Sequence, residues 1–241
     1  MMTRTALLVA VLLAAPGAPA SLDDPPPFEP TSRYKPCEVA GWTVLVHRAF
    51  LADRPELAGQ ALALLKSQFD QVARRLPPNA VAKLRTIKIW LEADEPHHPC
   101  MAYHPDAGWL VAHGMNPEKA CCIEIADAEN FLAWTFDQPW MVLHELAHGY
   151  HDQFLPEGFG NPEIKEAYKA AMAAGSYRSV LRMSGRSERA YAATDPMEYF
   201  AEGTEAYFGT NDFYPFVRPE LERHDPGLFS RLGRLWGASI R

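Results

Sequence analysis

Cysteine is scarce in this chain, four residues in 241, and none of the four stands in a C-x-x-C pair. That argues against a four-thiolate zinc site, whose ligands come in such pairs. Long apolar runs are lacking too. The run at residues 6–15 is too short to span a bilayer, and no other segment is long and apolar enough to cross one. Positive charge is also in deficit: 23 Lys and Arg face 30 Asp and Glu, a formal net charge of −7. Nucleic acid and anionic membrane surfaces are therefore not expected as partners. No internal repeat is evident. What is there is a 48% hydrophobic composition, enough for a proper core, so the fold need not rest on disulfides.

The start of the chain has the marks of an export signal. Arg4 gives a basic region, residues 6–15 are apolar, and Ala18-Pro19-Ala20 offers small residues where cleavage is expected. The expectation is an exported protein, periplasmic or secreted, with a retained N-terminal anchor as the alternative. It divides into a signal at 1–20, a Pro-rich extended leader at 21–36 and one domain over 37–241. In an exported chain, the even set Cys37, Cys100, Cys121 and Cys122 suggests one or two bridges. Adjacent Cys121 and Cys122 do not suit each other, which leaves pairings of Cys37 and Cys100 with that couple.

Periodicity predicts an α+β domain, a small sheet followed by helices. Strands are expected at 42–47, 86–91, 109–112 and 121–125, with a His- and Pro-bearing loop at 95–106. Helices are expected at 57–76, where Pro77-Pro78 ends the first, and at 162–174. Another runs from Pro196, capped by Asp195, to about Phe208. Residues 219–236 read as one or two closing helices broken near Pro226.

The most informative stretch is His144-Glu145-Leu146-Ala147-His148. Residues four apart on a helix share a face, so two imidazoles there can reach one Zn²⁺ while the Glu holds a water. Asp137 is a plausible N-cap and Pro139 suits the first turn. Trp140, Leu143, Ala147 and Tyr150 can line the buried side. A catalytic zinc needs a third protein ligand and an open position. The extended H-E-x-x-H-x-x-G-x-x-H form fails, because His151 and Phe154 stand at its Gly and third His. Gly209-Thr210-Asn211-Asp212 loosely matches a form that supplies an Asp, making Asp212 a rival. Glu198 and Glu202, four apart on the later helix, offer a ligand and a group that orients a ligand His. Asp195 with Glu198 also reads as a capping box, and Glu205 extends the same face as a surface or supporting residue.

H-E-x-x-H followed by Glu198-Tyr199-Phe200-Ala201-Glu202 resembles the gluzincin metallopeptidases, most closely the catalytic domain of anthrax lethal factor and its relatives. In that group a Tyr lies seven residues before the metal-binding Glu, as Tyr191 does here. The resemblance covers roughly residues 123–208. It implies one Zn²⁺ per chain on His144, His148 and Glu198, with Glu145 as general base. It implies Tyr191 as the hydroxyl at the oxyanion or leaving amine, and Glu202 as support behind a ligand. The cysteine-bearing segment before it has no counterpart. Nothing here corresponds to the toxin's substrate-docking domains, so its substrate does not carry over.

The expected activity is a zinc endopeptidase acting on a peptide or protein, with strand 121–125 accepting an extended peptide if it is a sheet edge. The alternatives are a non-catalytic zinc-bound binding or envelope module and a zinc hydrolase of a non-peptide amide. His151 lies two turns from His144, about 10 Å along the axis, and reads as cleft lining or surface. His97, His98 and His104 near Cys100 read as solvated loop residues, with a second metal site as the sharper option. Tyr103 and Trp109 can line a groove or pack in the core.

Overall fold

The computed structural model describes residues 28–238. The expected export signal and residues 21–27 of the Pro-rich leader lie outside them. The described chain is mixed α and β, with far more helix than strand. Strands β1 (Tyr34–Val39) and β2 (Trp42–His47) form a hairpin. Its two-residue turn, Ala40-Gly41, has φ of +50° and +89°, the positive pair a tight hairpin requires. Helices α1 (Arg48–Asp53), α2 (Pro55–Arg75) and α3 (Pro78–Leu84) lead to β3 (Ile89–Leu91). Then come β4 (Met101–His104), α4 (Ala107–Ala112), β5 (Cys122–Ile125) and α5 (Ala128–Trp134). The helical half comprises α6 (Met141–Phe154), α7 (Pro162–Ala174), a two-residue β6 (Val180–Leu181) and β7 (Ser187–Glu188), α8 (Pro196–Phe208), α9 (Arg218–His224) and α10 (Pro226–Leu235).

The five-stranded sheet runs β1-β2-β3-β5-β4. β2, β3 and β5 are parallel neighbours, and β1 and β4 are antiparallel outer strands. Alternation gives the sheet two faces. Trp42, Val44, Val46, Ile89, Leu91, Ile123 and Ile125 join the main core with the helices. Tyr34, Trp90 and Cys122 pack together on the other face. α6 is almost wholly buried between the sheet and α8. Gly149 makes that approach possible: a Cβ there would stand 2.6 Å from Ile87 Cδ1 and 3.2 Å from the Tyr103 ring. α8 is buried from Tyr199 to Phe208, enclosed by α6, α7, α9 and α10.

Several expectations are corrected. Residues 109–112 belong to helix α4, not a strand, because Asp106 caps it by accepting from the Trp109 amide at 2.6 Å. A four-residue apolar run has no periodicity to separate the two. The loop at 95–106 contains β4. β5 pairs on both sides and is no edge; β4 is. Asp137 does not cap the H-E-x-x-H helix, which begins at Met141 after a turn in which the Asp137 and Gln138 amides bond Trp134 O. The leader ends before residue 34, since buried Tyr34 starts β1. All four cysteines are free. Cys37 on β1 is three strand spacings from Cys122 on β5, about 14 Å, beyond the reach of a disulfide. Cys100 and Cys122 sit at opposite ends of the β4–β5 ladder, beside Ala126 and opposite His104. Among the described residues no helix is long and apolar enough to cross a membrane.

Candidate metal centre

Two helices supply the centre. On α6 the four-residue spacing sets His144 and His148 on one face, with ring centroids 4.8 Å apart. On α8, Asp195 accepts from the amides of Met197 (2.7 Å) and Glu198 (3.0 Å), and Pro196 occupies the first turn. The cap uses the Glu198 backbone and leaves its carboxylate free to cross to α6. Glu198 Oε2 lies 2.9 Å from His144 Nε2 and 3.4 Å from His148 Nε2, and the two Nε2 atoms are 3.1 Å apart. Three donors on a tetrahedral ion with bonds of about 2.0–2.1 Å would be about 3.3 Å apart. The triangle therefore fits a zinc-sized ion, and its donor set of two imidazoles and one carboxylate suits zinc.

Electrostatics favour a cation here. Burial works against charge on His144, but hydrogen bonds with Glu198 and Glu205 outweigh it and hold its pKa well above the ordinary value. Burial likewise opposes charge on Glu198. Hydrogen bonds from His144 and His148 overcome it and hold the carboxyl below the usual range. Glu202, Glu205 and Asp212 are buried alongside and all pushed upward, mainly by burial. Such a crowd of carboxylates around two histidines and Arg182 would be relieved by a divalent cation.

The residue behind His144 is Glu205: its Oε1 lies 2.7 Å from His144 Nδ1, whereas Glu202 Oε1 is 4.0 Å away. Glu202 instead accepts from Asn211 Nδ2 at 3.0 Å. The signal for Glu205 was its seven-residue spacing from Glu198, which also keeps to one helical face. Asp212, the rival ligand, is turned to Arg182 (3.1 Å) and does not join the triangle. Glu145 is buried in the same cleft, its carboxyl pushed up chiefly by burial. One of its oxygens, Oε2, accepts from the Tyr103 amide of β4 at 2.8 Å, a contact no sequence spacing announces. Tyr191 begins the turn before α8, half exposed, with its ring 6.2 Å from that of His144. Burial, then the Glu198 charge, raises its hydroxyl pKa, so it stays a proton donor.

The cleft, about 310 Å³, runs between β4 and the two helices and is walled by Met101, Tyr103, Trp134 and Met141 as well as the polar groups. His151 does not line it. It is fully buried between the rings of Phe159 and Phe200, with neither ring nitrogen partnered among the described residues. Tyr103 packs in the core and donates to Asp152 at 2.7 Å. Compared with known protein families, curated proteins and solved structures, the chain finds no match.

Proposed function

We propose that this protein is an exported zinc-dependent endopeptidase of the gluzincin type, using His144, His148 and Glu198 as metal ligands. The observation that carries the reading is the triangle of donors 2.9–3.4 Å apart, closed from two helices, with Glu145 in the same cleft. Bound there, zinc would lower the pKa of a water towards about 7 and polarise a carbonyl. Glu145, buried in the same cleft, would serve as the general base for such a water and hand the proton on to the departing nitrogen. The Tyr103 amide pins one Glu145 oxygen, leaving the other to carry the proton. Tyr191, protonated and at the mouth, donates where negative charge develops.

The edge strand gives the substrate reading. The Tyr103 amide turns away from β5, so the outer groups of β4 run along the cleft. An extended peptide adding to that edge would pass over Glu145, which favours peptides over small amides.

The test combines metal content with cleavage. Glu145→Gln is expected to keep its metal and lose hydrolysis about 10²–10⁴-fold in a peptide-library screen. Glu198→Ala is expected to lose the metal and Asp212→Ala to keep it; the reverse pattern would move the third ligand to Asp212. A wild type that holds zinc but cleaves nothing, with or without chelator, would favour the non-catalytic binding module. Cleavage of small amides alone would favour the third reading.

A further inference from the structure

On the face of the sheet away from α6, the residues after β3 fold back over β4 and β5. His98 brings its ring to 5.0 Å from that of His104, and His104 Nε2 lies 2.7 Å from Glu124 Oε2. One donor atom each from His98, His104 and Glu124 falls within 4.8 Å of the others. A second observation points to a missing partner. His98 Nε2 is shielded from solvent and has no hydrogen-bond partner among the described residues. A buried ring nitrogen without a partner loses the hydrogen bond it would make to water.

Charge points the same way. Glu92 and Glu124 are both buried on this face, and Lys119 is the ammonium they share. Lys119 is committed to Glu92 Oε1 (2.5 Å) and Glu124 Oε1, and Glu92 also accepts from Tyr34 at 2.7 Å. The other Glu124 oxygen, Oε2, is thus left to the histidine side. One ammonium against two carboxylates leaves a negative surplus. Trp109, stacked near both imidazoles with centroids 6.1 and 6.5 Å away, walls the pair.

We propose that His98, His104 and Glu124 hold a second divalent cation of the zinc class, separate from the α6–α8 centre, with water completing its coordination. Two imidazoles and a carboxylate are a borderline donor set that takes zinc ahead of calcium or magnesium. The ion would tie the segment before β4 across β4 and β5. Since the neighbour of His104 is Tyr103, whose amide holds Glu145, the site acts by positioning the edge strand.

The test is a zinc count. Metal-stripped protein is titrated with Zn²⁺, dialysed and analysed for bound metal. Wild type is expected to hold two equivalents, His98→Ala one, His148→Ala one, and the double variant none. One equivalent in wild type, lost in His98→Ala and kept in His148→Ala, would support this site while sinking the α6–α8 centre. One equivalent lost only in His148→Ala, or two unaffected by His98→Ala, would overturn it. Cadmium-113 resonance gives a second readout: two bound signals in the wild type, one of them lost in His104→Gln, support the site, and one signal abolished by His104→Gln but present in His148→Ala does too. A signal confined to the His148 centre overturns it.

Discussion

A histidine takes as its partner the carboxylate that reaches its second nitrogen, and α8 offers three candidates. The notion of Glu202 as the support rested on its four-residue spacing from Glu198. The crossing of two helices decides the matter, and it sets Glu205 at 2.7 Å from His144 Nδ1. Spacing along one helix was legible in the sequence; reach between two was not. Glu205→Gln is therefore expected to weaken zinc binding about 10–100-fold in chelator competition. Glu202→Gln, bonded to Asn211, should change it far less. His151 carries a pH prediction. Burial lowers its pKa to about 3, with the charges of His148 and Lys165 adding to the effect. Unfolded, it titrates near 6.5. Its contribution is whole above that value. It fades as pH falls towards 3, because the unfolded chain takes up a proton that the folded one refuses. Between pH 6 and 4 the wild type should lose stability relative to His151→Leu by about 1.4 kcal/mol per pH unit in urea unfolding. Parallel pH curves for the two proteins would refute the assignment.

Elements with strong punctuation were legible. Asp195-Pro196 opens α8, Pro162 opens α7 and Pro226 divides α9 from α10, each within a residue or so of expectation. Short apolar runs were not legible, as α4 and β4 show. Nor was the reason for Gly209. It stops α8, as expected, and a Cβ there would also collide with the indole of Trp140, the residue just before α6. The end of one ligand-bearing helix is thereby seated on the start of the other. Gly209→Ala is expected to cost about 1–3 kcal/mol by overpacking. Because the strain falls between α6 and α8, zinc affinity should drop with it. A shifted urea midpoint with unchanged affinity would mean that the collision is absorbed away from the centre.

Across the whole molecule, the mixed α and β class and the division into a sheet followed by helices were legible from periodicity. The strand order was not, because pairing partners are chosen at distances that local pattern does not encode. That order separates the cysteines and makes β4 the edge. It also leaves the α6–α8 centre joining residues 54 positions apart, His144 and Glu198. Zinc binding there would favour the folded chain by mass action, by about 4 kcal/mol at a thousandfold excess over Kd, or roughly 10 °C in Tm. Thermal scans of His98→Ala with and without zinc would isolate that gain, and His148→Ala in the same background should abolish it. β4 sets one more condition. Its alternation sends the Tyr103 ring to the helices and the His104 ring to the opposite side. Inserting or deleting one residue within Met101–His104 would exchange those faces. Changes of length are therefore to be accommodated in the stretches flanking the strand, while its four residues admit substitution only.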